Sequence, residues 1–178
     1  MVQPEVFAEG HSRIRLFGLR LDPHRLIYST LIMMVALAVF DTDSTPFTGH
    51  TVGDVFVVVL MPLAALSLAH GFSDAIDIQI RTRHRLTRAD RRHIAGTSVQ
   101  YLLVGLPVLL LAVVFSIVGI DVEVATNIGE ALGQISLLFW GAFAARSAGL
   151  GRWAQVRFAL VYFFLGSLII VVEVLVAH

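Results

Sequence analysis

Ser67, His70, Asp74 and Asp77 recur at intervals of three, four and three, which places all four on one face of a helix. Imidazole and carboxylate at i and i+4 can share a divalent cation such as Zn²⁺ or Fe²⁺, or relay a proton. The same acids can instead form ion pairs with arginines at the helix end, Arg146 among them, while His70 packs with a hydrogen bond. Six arginines crowd that end, so the sequence favours the structural uses over a metal. Glu123, Asn127, Glu130 and Gln134 form a second row at intervals of four, three and four. Glu130 and Glu173 can share a proton or cation, or pair with an external arginine. The other use of Glu130 is as a neutral acid hydrogen-bonded to Asn127 or Gln134. Gln100 and Tyr101 become its partners only if their helix reaches that depth. His70, Ser73 and Asp74 carry the letters of a hydrolytic triad, but adjacent turns of one helix do not supply the base–orienter geometry. No GxxxxGK[ST], HExxH or GxGxxG occurs. The chain is expected to have no catalytic residue, metal or cofactor.

These side chains sit in an unusual solvent context. Of 178 residues, 57% are hydrophobic and 15% charged, with a mean hydropathy of +0.81. A soluble domain is typically about 45–50% apolar and about 25% charged. The surplus has too little polar surface to cover it in water, which excludes a soluble enzyme, a nucleic-acid binder and a disordered tail. The absence of cysteine removes disulfides and thiolate chemistry.

Apolar runs at about 26–40, 55–76, 94–120, 124–146 and 157–177 predict five membrane spans within one unit, residues 23–178. Only helices fit runs of this length, so the expected fold is all-α and polytopic. Gly105-Leu106-Pro107 marks a kink or a close-packing point in the third span. All 13 basic residues are arginine and fall in three groups: 13–25, 81–92 and 146–157. Five spans put those groups on one side, which must be the cytoplasm. The opposite connections carry Asp41, Asp43 and Asp54, then Asp121 and Glu123. The N-terminus is therefore expected inside, the C-terminus outside, and the membrane to be a bacterial plasma membrane. In this arrangement His70 lies about 15 Å deeper than Glu130, at about 1.5 Å per residue, so the two polar rows do not form one site.

Residues 1–22 hold separated charges instead of a continuous apolar stretch, unlike a signal peptide. Arg13, Arg15 and Arg20 alternate with apolar residues and suit anionic headgroups, or simply flank the first span as positive-inside charges. Asp22-Pro23 reads as an N-cap followed by proline at the first helical position. Ala125, Gly129 and Gly133 make a small-residue stripe on the fourth span, suited to close packing of a helix within the chain or from a partner.

Two family resemblances follow. Five helices with the N-terminus inside and the C-terminus outside are similar to the vacuolar iron transporter family, which would imply iron transport. That family has an Asp-Gly motif in its first helix and a glutamate-rich cytoplasmic connection. Here the first span has no acid, and the corresponding connection is arginine-rich with Asp90. The all-arginine, Val/Ala/Leu-rich composition and Leu68-Ala69-His70-Gly71-Phe72-Ser73-Asp74 resemble small actinobacterial integral membrane proteins, one kind of which is an accessory subunit of the Mce-type lipid transporter. That resemblance implies a non-enzymatic subunit docked beside a lipid-transporter permease. The expected partners are membrane lipids and other integral membrane subunits, and no nucleic acid. The competing expectation is a small cation or proton carrier or channel acting as a homo-oligomer.

Overall fold

The computed structural model describes residues 14–16, 19–42 and 51–177. Apart from one short hairpin these are helical. The hairpin pairs β1 (Ile14–Leu16) with β2 (Leu19–Leu21), and the helices are α1 (Pro23–Thr42), α2 (Val52–Thr82), α3 (Arg88–Leu103), α4 (Leu106–Val118), α5 (Val122–Ser147) and α6 (Arg152–Ala177). Four of them are long and apolar enough to cross a membrane, and the bent pair α3 and α4 would make a fifth span. This is the pattern of a multi-pass membrane protein.

Local chemistry sets the helix ends. The Asp22 carboxylate accepts from the His24 amide at 3.1 Å, with Pro23 in the position where a missing N–H costs nothing. Thr51 with Asp54, and Thr87 with Asp90, form reciprocal capping boxes that start α2 and α3. Gly119, at φ 77°, takes the left-handed turn that ends α4, where a side chain would be strained.

The expected third span of 94–120 is not one helix. The structure breaks it into α3 and α4, which meet at 47°. Pro107 has no amide proton for the Leu103 carbonyl, and its ring crowds that carbonyl, so a straight helix cannot run through. Gly105 also lets α2 approach: a Cβ there would lie 2.8 Å from Val59 Cγ1 and 2.9 Å from Leu63 Cδ1. α2 likewise outruns its expected end at 76 and continues to Thr82. Its 31 residues span roughly 46 Å, against a hydrocarbon core of about 30 Å.

α5 is the hub of the bundle. It packs against α6, α1 and α4, while α1 packs against both α2 and α5. The expected stripe of Ala125, Gly129 and Gly133 is buried by the chain's own helices. A Cβ at Gly129 would meet both Val108 methyls at 2.9 Å, and one at Gly133 would meet Met34 Cγ at 2.8 Å. The stripe is therefore occupied by α1 and α4, and is not an open face for a partner. Gly141 brings α6 equally close, with the Phe158 carbonyl oxygen 2.9 Å from a would-be Cβ. Around these contacts Met33, Leu37, Val55, Val59, Leu63 and Val108 form one core.

Candidate functional site

α1, α2 and α3 bring a polar cluster together at the end of the bundle where α1 begins. Arg25 Nη2 donates to Asp74 Oδ2 at 2.9 Å, and Arg25 Nε lies 3.6 Å from Asp22 Oδ2. The guanidinium carbon sits 5.6 Å from the centre of the Tyr101 ring, within cation–π range. Tyr101 in turn packs on His70 at 4.9 Å between ring centres, and His70 on Tyr28 at 6.0 Å. The Gln100 amide oxygen accepts from the Asp22 backbone N–H at 3.0 Å. Each helix supplies its part for a local reason. Asp22 and Arg25 belong to the capped first turn of α1, and His70 and Asp74 share one face of α2. Buried Gln100 and Tyr101 lie on the side of α3 turned towards α1.

His70 Nδ1 is 3.2 Å from the Leu66 carbonyl, an acceptor, so that nitrogen carries the proton. The Ser67 hydroxyl donates to the Ser98 carbonyl at 2.9 Å, tying α2 to α3. Below them, a Cβ at Gly71 would lie 2.8 Å from Ser98 Oγ, so glycine is needed for this approach. Two buried atoms, Arg25 Nη1 and Ser98 Oγ, have no hydrogen-bond partner among the described residues. The arrangement can neutralise Asp74, fix the Arg25 side chain and clamp three helices at one level.

Asp77 stands apart from the cluster. It pairs with Arg81 at 3.0 Å, one turn further along α2, and both side chains are exposed. The partner of Asp74 is Arg25 and not Arg146: α1 packs directly against α2, and Arg146, in the last turn of α5, is exposed. Among the described residues, no three His, Asp or Glu side chains come together as a group able to hold a metal ion.

The second row divides along α5. Glu130 is 8% exposed, whereas Glu123 and Asn127 are exposed. Gln134 Nε2 donates to Ser167 Oγ on α6 at 2.6 Å, and the Ser167 hydroxyl donates in turn to the Phe163 carbonyl at 3.0 Å. α6 thus covers the Gln134 end of the row and leaves the Asn127 end open. Gln100 and Tyr101 sit with Arg25, at the opposite end of α1 from Leu37, which contacts Gly129. They are therefore not neighbours of Glu130. The side chain of Glu173 lies outside the described residues, as do Arg13 and the side chains of Arg15 and Arg20. The backbones of Arg15 and Arg20 are cross-strand partners in the hairpin.

Arg25 reads in the sequence as a flanking charge, Gln100 and Tyr101 as conditional partners of Glu130, and Tyr28 and Ser98 carry no signal there. Their convergence has no sequence signature, because Arg25 and Asp74 are 49 positions apart. Outside the spans, Asp90 is held below the usual carboxylate range, mainly by hydrogen bonds from the Thr87 side chain and backbone. No family model, curated protein or solved structure matches the chain.

Proposed function

We propose that this chain is a non-enzymatic accessory subunit of a multiprotein complex in a bacterial plasma membrane. The observation that carries the reading is the half-covered polar row on α5. Gln134 is satisfied by Ser167 of α6, while Glu123 and Asn127 remain exposed at the other end. Asn127 lies about 7.5 Å in from the first residue of α5, at about 1.5 Å per residue. Polar side chains at such depth favour an interhelical partner over lipid. The chain's own small-residue stripe is already filled, so a partner helix would dock along the Glu123–Asn127 edge. The partner class implied by the actinobacterial resemblance is the permease of a lipid transporter.

The proposed orientation has the N-terminus in the cytoplasm and the C-terminus outside, with five crossings. Two features support it: all 13 arginines fall on one side of a five-span arrangement, and α3 and α4 reach opposite levels of the bundle. Tyr101 of α3 sits with Arg25 at the start of α1, whereas Val108 of α4 meets Gly129 beside Leu37.

The second reading, a homo-oligomeric carrier of protons or cations, draws on the burial of Glu130. Twelve residues of α1 separate the Arg25 level from the Leu37 level, or roughly 18 Å. Between them Ser29 and Thr30 direct their hydroxyls to carbonyls of their own helix. A proton path would have to cross this stretch, and Met33, Met34, Leu63 and Leu137 fill it.

The test is purification of the tagged chain from native membranes in mild detergent, with mass spectrometry of co-purifying subunits. A foreign integral membrane subunit that is lost with Asn127→Leu is expected. A chain that purifies only as a homo-oligomer, and moves protons or divalent cations in liposomes until Glu130→Gln stops it, would overturn the reading.

A further inference from the structure

α2 and α3 do not stop where the bundle stops. Beyond Ile76 and Ile94 they continue as a hairpin whose tip, residues 83–87, connects the two helices. Residues 76–94 hold six arginines and two aspartates. Both acids are committed within the hairpin, Asp77 to Arg81 and Asp90 to the amide and hydroxyl of Thr87. Among the described residues Arg88, Arg91 and Arg92 make no ion pair and are exposed. The protrusion therefore carries a net positive charge that no acid among the described residues balances.

Where that charge faces follows from the exposed stripes. On α2, Leu68, Phe72, Ile76 and Ile80 lie at successive intervals of four on one exposed face, and Ile80 is 70% exposed. On α3, Val99, Ala95, Arg92 and Arg88 share another exposed face. Both stripes begin beside the bundle's lipid-facing surface and run without a turn of direction into the hairpin. On α3, Ile94, whose side chain packs beside Gly71 of α2, then marks the edge of the apolar zone. Arg92 lies about 3 Å and Arg88 about 9 Å beyond it, at about 1.5 Å per residue. The polar layer on each side of a bilayer is roughly 5–8 Å thick, within reach of both guanidinium groups.

We propose that the flank of the α2–α3 hairpin is a binding surface for anionic phospholipids, with Arg88 and Arg92 holding phosphodiester headgroups of the adjacent leaflet. Charge complementarity and continuity with the lipid-facing stripes point to lipid at the side of the hairpin. An acidic soluble protein would instead approach the tip from below. Arginine suits this role because its fork can donate two hydrogen bonds to one phosphate.

The test uses the full chain in detergent, titrated with phosphatidylglycerol or phosphatidylcholine and read by native mass spectrometry. Wild type should prefer phosphatidylglycerol, and the preference should shrink with added salt. Each arginine near a charged surface contributes roughly fivefold, so Arg88→Gln/Arg92→Gln should lower phosphatidylglycerol affinity about thirtyfold. The control Arg152→Gln/Arg157→Gln removes the same charge from the start of α6 and should change it far less. Both pairs are exposed, so folding is expected to survive, and entry into nanodiscs checks this and the membrane reading separately. No wild-type preference, or an equal loss in the control pair, would overturn the assignment; so would failure to enter nanodiscs.

Discussion

Arg25 on α1 and Asp74 on α2, 49 positions apart in the chain, share a hydrogen-bonded ion pair at 2.9 Å, with side chains 18% and 35% exposed. The pair is neither deeply buried nor free in solvent. Its worth should therefore lie between that of an exposed pair, about 0–1 kcal/mol, and the roughly 3–5 kcal/mol lost when one partner of a buried pair is removed. The expected outcome is that Asp74→Ala destabilises the detergent-solubilised chain by about 1–3 kcal/mol. Arg25→Ala/Asp74→Ala should cost clearly less than the two single changes added together. A double-mutant cycle by thermal unfolding measures this coupling, and additivity within about 0.5 kcal/mol would show that the pair contributes nothing of its own.

The glycines of α5 should rank by the stiffness of what they touch. At Gly129 a new methyl meets the β-branched Val108, and at Gly141 it meets the Phe158 backbone; neither can turn aside. At Gly133 it meets Met34, whose unbranched chain can move. Gly129→Ala and Gly141→Ala should each cost about 1–3 kcal/mol, and Gly133→Ala less. Gly96 has open space around a would-be Cβ, so Gly96→Ala should be neutral or stabilising by about 0.5–1 kcal/mol. Thermal unfolding of the four variants tests the order.

The absence of cysteine makes single-cysteine labelling a clean test of side. With five crossings, Arg85→Cys should react from the same side as an N-terminal tag, and Ile120→Cys from the opposite side. A tag at His178 should be accessible where Ile120→Cys is. Both termini on one side would mean that α3 and α4 form a re-entrant loop and do not cross.

Thr87 and Asp90 make the hairpin sensitive to acid. The folded pKa of Asp90 is depressed, so its contribution to the start of α3 is fully present above the unfolded value, about 3.9. It is lost as pH falls through the lower folded value. A spin label at Ala89→Cys should therefore gain mobility as the sample is taken below about pH 4. In Asp90→Asn the label should be mobile at neutral pH and change little on acidification.

The sequence alone determined that the chain is helical and apolar enough for a membrane, because hydropathy and charge are local and additive along the chain. It also placed the start of α1 at Pro23, the trouble at Gly105-Leu106-Pro107, and the tight packing expected of Gly129 and Gly133, since each depends on backbone chemistry within a few residues. It did not decide which helix would fill the glycine stripe, and α1 and α4 did so by packing Met34 and Val108 into it. Nor did it pair Asp74 correctly. Arginines near the inner helix ends look equivalent in the sequence, and proximity selects among them. Only the packing of α1 beside α2 brought Arg25 within hydrogen-bond reach and left Arg146 outside. The split of the α5 polar row had the same cause. Four residues at helical spacing share one face, but the packing of the bundle buries Glu130, and α6 engages Gln134 while Asn127 stays open.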